Sequence, residues 1–154
     1  MEPVQAIRSL AEAYTAAWCR QNAASVASFY AEDGSLSVND AAPAVGRAAI
    51  TEVAQGFMTA FPDLQVFLDE LRLEGDHTIY HWTLTGTNTG PGGTGHRVRI
   101  SGFEVWQIGL DGLIAESRGH FDALAYQRQL EHGLKDAHQE HIVSKLGRGE
   151  MGKV

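Results

Sequence analysis

The sequence predicts one α+β domain in which a curved antiparallel sheet wraps around N-terminal helices. Two observations carry that prediction. Through residues 4–19, 22–30 and 46–61, apolar side chains recur at spacings of three and four, the period of a helix with one buried face. From Leu64 onward the period changes to two, in four strand-like runs separated by short turns. Helices grouped ahead of antiparallel strands define the α+β class and not the alternating α/β class. A chain of 154 residues fits a single domain and buries roughly 70% of its unfolded surface without needing staples.

Each element follows from local pattern. Residues 4–19 form a first helix, with Val4, Ile7, Leu10, Ala11, Tyr14, Ala17 and Trp18 on one stripe. Asn22 caps a second, short helix ending near Tyr30, with Val26 and Phe29 on its inner face. Asp33-Gly34 reads as a turn, Leu36 and Val38 as a short strand, and residues 39–43 as a loop. A third helix spans Gly46 to Phe61 and ends before Pro62, because the residue preceding proline is pushed out of the helical region. Strands follow from Leu64 to the Gly75-Asp76 turn, from His77 to Thr89, from Arg97 to Ile108 and from Leu113 to Phe121. Residues 90–93 are a glycine-rich loop, and Asp111-Gly112 is a hairpin signal. Asp122 opens a last helix with Leu124 and Leu130 on its apolar side. The folded domain therefore covers residues 1–133, and residues 134–154 are a polar tail.

Composition narrows the function. The formal charge is −7 and there is no basic stripe, which argues against nucleic acid as a partner. One cysteine, Cys19, fits a reducing compartment and sits in an apolar helical pattern, where packing is its expected role. No apolar run is long enough to span a bilayer and no signal peptide is visible, so the expected location is the cytoplasm, away from membranes. His138 and His141 share a helical face in the tail but have no third ligand nearby, so no metal site is expected. The loop at residues 90–95 joins two strands with no helix after it, which excludes a phosphate-cradling loop.

Four stretches, in this order and spacing, resemble the SnoaL-like polyketide cyclases of the superfamily named for nuclear transport factor 2. They are residues 29–34, Val45-Gly46-Arg47 with Ile50, residues 82–90, and residues 111–116 followed by Asp122 and Gln129-Leu130. The resemblance covers about residues 5 to 133. It implies a cone-shaped, cystatin-like α+β barrel whose sheet closes around a hydrophobic pocket, and a homodimer formed through the sheet. It also implies ring closure by intramolecular aldol chemistry on a hydrophobic, carbonyl-bearing small molecule, without metal or organic cofactor. In such enzymes an aspartate at the position of Asp122 is the general acid/base. Asn88 stands where the family usually has histidine and Arg118 where it often has tryptophan, so the particular substrate does not carry over.

The residues themselves give reasons for a candidate list. Asp122 follows an apolar strand ending in Phe121, where a dry pocket would raise a carboxyl toward working pH, although an aspartate between strand and helix is also a helix cap. His120 is two residues earlier, on the same strand face, and could assist it. Tyr14 and Asn88 are candidates to position or polarise a carbonyl, and Trp82 and Phe121 to line the substrate site. A second reading is a non-catalytic module that holds an apolar ligand or serves as a dimeric scaffold. A third follows from similarity to the ketosteroid isomerases of the same superfamily, in which Tyr14 and Asp40 would converge on one cavity point to move a proton.

Overall fold

The structure, a computed structural model, describes residues 3–134. Helix α1 (Pro3–Cys19) turns Ala11, Tyr14, Ala17 and Trp18 inward, the stripe expected from their spacing. Asn22 caps α2 (Ala23–Ser28), its side-chain oxygen accepting the Ser25 N–H at 3.0 Å. The chain then enters β1 (Tyr30–Val38), which is longer than the sequence suggests. Asp33-Gly34 is a bulge inside this strand and not a turn, because its pairing register shifts between Tyr30 and Ser35. Gly34 makes the bulge possible: a Cβ there would lie 2.9 Å from the carbonyl oxygen of Ile114.

A two-residue strand, β2 (Ala44–Val45), precedes α3 (Arg47–Ala60), and the Arg47 side chain donates to the Tyr30 carbonyl at 2.9 Å. The strands β3 (Gln65–Glu74), β4 (His77–Thr87), β5 (Arg97–Ile108) and β6 (Ile114–Phe121) form the expected antiparallel meander. A last helix, α4, covers residues 123–134. The positions His138 and His141 lie outside the described residues.

The six strands form one sheet in the order β2-β1-β6-β5-β4-β3. It is mixed, since β1 pairs parallel with β6. It also stays open where a closed barrel was expected. The edges β2 and β3 do not pair with each other, because α1 packs on β3 while α3 packs on β1 and β2, so helices fill the gap. The sheet curves around an aromatic core in which Tyr14 is the hub. Its ring lies 5.2 Å from Trp106 and 5.4 Å from Tyr80, which stack on each other at 4.7 Å. Complete burial of a large apolar side chain stabilises the fold by roughly 1.5–3 kcal/mol, so this cluster is a major part of the stability. No helix among the described residues is long and apolar enough to cross a membrane.

Candidate functional site

Strand alternation decides which side chains meet inside. On β4, Tyr80, Trp82 and Leu84 face the helices; on β5, Ile100, Glu104 and Trp106 do; on β6, Ser117, Gly119 and Phe121 do. Of these, Tyr80, Trp82, Leu84, Ile100, Glu104, Gly119 and Phe121, with Trp18 of α1, Phe57 of α3 and Tyr126 of α4, line a cavity of about 80 Å³. Its walls are apolar. Glu104 is the one carboxylate residue among those lining it.

Glu104 lies in the row Tyr80–Glu104–Gly119 across three strands. A Cβ at Gly119 would sit 3.7 Å from the glutamate Cγ, an ordinary packing distance. Three donors converge on its Oε1: the indole N–H of Trp106 and the Ser117 hydroxyl, each at 2.8 Å, and the Tyr14 hydroxyl at 3.1 Å. The other oxygen, Oε2, has only Tyr14, at 3.3 Å. Tyr14 in turn lies 3.0 Å from the Tyr30 hydroxyl. Burial pushes the Glu104 carboxyl above its usual range, and the three hydrogen bonds oppose this without overcoming it. Burial, with the neighbouring Glu104 charge, likewise raises the hydroxyls of Tyr14 and Tyr30. The result is a carboxyl held toward its neutral form at the floor of an apolar cavity, its Oε1 saturated with donors and its Oε2 nearly free. Such a group can donate a hydrogen bond to a carbonyl oxygen or to an oxyanion developing there.

The structure separates the residues expected from sequence. Trp82 and Phe121 line the cavity. Tyr14 is completely buried behind Glu104, within hydrogen-bond reach of it. Asp122 is exposed and caps α4, its Oδ1 accepting the Ala125 N–H at 3.0 Å. His120 lies on the outer face of the sheet, its ring 5.1 Å from that of Phe103. Asn88 is spent on loop structure: its amide donates to the Ala60 carbonyl and its oxygen accepts the Thr94 N–H. Asp40 is exposed in a left-handed turn, with φ of 64°, and does not line the cavity with Glu104, so Tyr14 and Asp40 do not converge. Glu104 was missed. Its signal was phase: it occupies the apolar parity of β5, shared with Val98, Ile100 and Trp106, where an isolated acid is out of place. Among the described residues no cluster of three or more His, Cys, Asp or Glu could hold a metal ion.

The family model of the SnoaL-like polyketide cyclases matches residues 8–130. No match is found among the curated proteins. Solved structures share the fold. A protein of Jannaschia sp. CCS1 assigned to the SnoaL-like polyketide cyclases superposes with a TM-score of 0.75 at 17% identity, covering 86% of this chain and 96% of that one. AclR of Streptomyces galilaeus, for which hydroxylation is suggested, gives 0.69 at 25% identity, covering 80% and 94%. SalBIII, an epoxide hydrolase/cyclase-like enzyme of pyran ring formation in the polyether salinomycin, gives 0.70 at 17% identity, covering 81% and 97%. The matched span contains every strand, α2, α3, most of α1 and α4, and the residues that line the cavity; this chain belongs to the SnoaL-like polyketide cyclase family.

Proposed function

We propose that the protein is a cofactor-free, cyclase-type enzyme that activates a carbonyl of a hydrophobic small molecule, with Glu104 as the acid. The observation that carries this is the position of Glu104: the single carboxylate residue of an apolar cavity, fixed by three donors on one oxygen and nearly free on the other. A substrate carbonyl placed against Oε2 would receive a hydrogen bond that strengthens as negative charge builds on its oxygen during enolisation, with solvent water taking the α-proton because the lining residues hold no second carboxylate and no histidine. Tyr14 and Tyr30 extend the chain of hydroxyls behind the acid and stabilise it as charge moves. Asp122, which the family resemblance favoured, works here as a cap at the start of α4.

The test is enolisation of a minimal ketone. Deuterium incorporation beside the carbonyl of cyclohexanone, followed by NMR in heavy water, should be faster with wild type than with buffer. Glu104→Gln should lose about 100-fold or more of that catalysis, and Asp122→Asn, which still caps, should keep it. Loss with Asp122→Asn and not with Glu104→Gln would refute the assignment. Binding without exchange in any form would favour the non-catalytic, ligand-holding reading.

We further propose a homodimer through the outer face of the sheet. The rings of His81, Phe103 and His120 form a row across β4, β5 and β6 on that face, and Phe67 beside them is 49% exposed.

A further inference from the structure

The cavity has a volume of about 80 Å³, whereas an engineered apolar cavity that takes up a single benzene molecule in another protein measures about 150 Å³. The inner row next to the acid keeps it small. Trp82, Gly102 and Phe121 pair side by side across β4, β5 and β6, one strand repeat along β5 from Glu104. The glycine contributes no side chain, and the two flanking aromatics close over it. A Cβ at Gly102 would come within 2.7 Å of the Trp82 Cζ2 and 3.0 Å of the Phe121 Cβ, and the two rings meet edge to face at 6.2 Å. From the helical side Trp18 and Phe57, themselves in edge contact at 6.4 Å, line the same cavity. The Trp82 indole Nε1 is buried without a hydrogen-bond partner, which opposes folding. Sealed off from the cavity, that nitrogen has nothing to offer a ligand. A leucine or phenylalanine at this position would avoid the penalty, so what the tryptophan adds is bulk.

We infer that Trp82 and Phe121 form a steric stop that sets the upper size of the substrate: an uncharged carbonyl compound built on a single ring or a short chain fits over Glu104, and a fused-ring one does not. This rests on the reading of Glu104 as the donor to the carbonyl, and it adds the size class. A six-membered ring is accommodated by displacement of Tyr126, which enters from α4 and packs on Phe121 at 5.4 Å. Trp82 and Phe121 cannot yield in the same way, because the ladders on both sides of Gly102 fix their backbones. An anion is disfavoured, because its charge would be desolvated beside a carboxyl with no cation among the lining residues.

The experiment compares cyclohexanone with 2-decalone, its fused two-ring counterpart, by chemical-shift titration of ¹⁵N-labelled protein. Burial alone favours the larger ketone, since every added methylene that fits raises affinity, so a size limit shows as a reversed order. Wild type should bind cyclohexanone more tightly than 2-decalone by about tenfold or more. In Trp82→Leu and, separately, in Phe121→Leu the order should invert through a gain of about tenfold or more for 2-decalone, while cyclohexanone stays within about threefold of wild type. Wild type that takes 2-decalone as tightly as cyclohexanone, or binds neither, would overturn the inference whether or not the variants fold. An unchanged order in both variants, with circular dichroism showing them folded, would overturn it as well. Failure of the Glu104 reading looks different: Glu104→Gln would leave cyclohexanone binding and exchange unchanged while the size order persisted.

Discussion

Glu104 ties stability to pH through a single side chain. Burial raises its carboxyl above the usual 4.5, so the folded state holds the proton more tightly than the unfolded chain does. The stability this contributes is complete below about pH 4.5 and is lost as pH rises through the folded pKa. Urea midpoints measured from pH 4 to pH 9 should therefore fall with rising pH in wild type, and Glu104→Gln should remove that slope. Tyr14→Phe should cost about 1–3 kcal/mol in the same assay, since it removes a donor from buried Glu104 and takes one hydrogen-bond partner from the buried Tyr30 hydroxyl. At this scale the sequence was only partly legible. Trp82 and Phe121 were among the residues expected to line the site, but strand parity alone does not say which face of the sheet turns inward: His120, also expected there, has the opposite parity to Phe121. The roles of Asp122, Asn88 and Asp40 were not legible, because a short polar residue near a turn looks the same whether it faces a cavity or satisfies its own backbone. Glu104 needed the opposite inference, from the wrong residue type in an otherwise apolar phase.

The element boundaries show where local pattern suffices. The helices α1 and α3 and the β3–β6 meander lie close to where their periods put them. The start of β1 does not, because its first residues are held by pairing with β6, distant in sequence, across a bulge that composition disguises as a turn. Two substitutions test the joints between elements. Asp122→Ala should lower stability by about 1 kcal/mol through loss of the α4 cap, whereas Asp122→Asn should be neutral. Gly90→Ala should destabilise by about 3 kcal/mol or more, read as a thermal midpoint, because its Cβ would meet the backbone oxygen of Thr59 at 2.1 Å.

For the whole molecule, the proposed dimer gives a direct expectation: light scattering on the eluting protein should report twice the chain mass, and Phe67→Glu with Phe103→Glu should halve it without changing the circular dichroism. The fold class was readable because the order of helices and strands is written along the chain. The open sheet was not, since closure depends on what the two edge strands meet in space. One joint in this open architecture links the sheet to the cavity. The Arg99 amide, on the stretch of β5 beyond the last β6 pair at Gly102, is capped by the side-chain oxygen of Gln129 at 2.7 Å, and the adjacent Leu130 carbonyl lies 2.8 Å from His96 Nδ1. A glutamine on a helix thus stands in for a seventh strand, and the same helix carries Tyr126 into the cavity wall. Lifting α4 to admit a guest must strip the Arg99 proton of its acceptor, so hydrogen exchange at that one amide becomes a clock for how often the chamber opens.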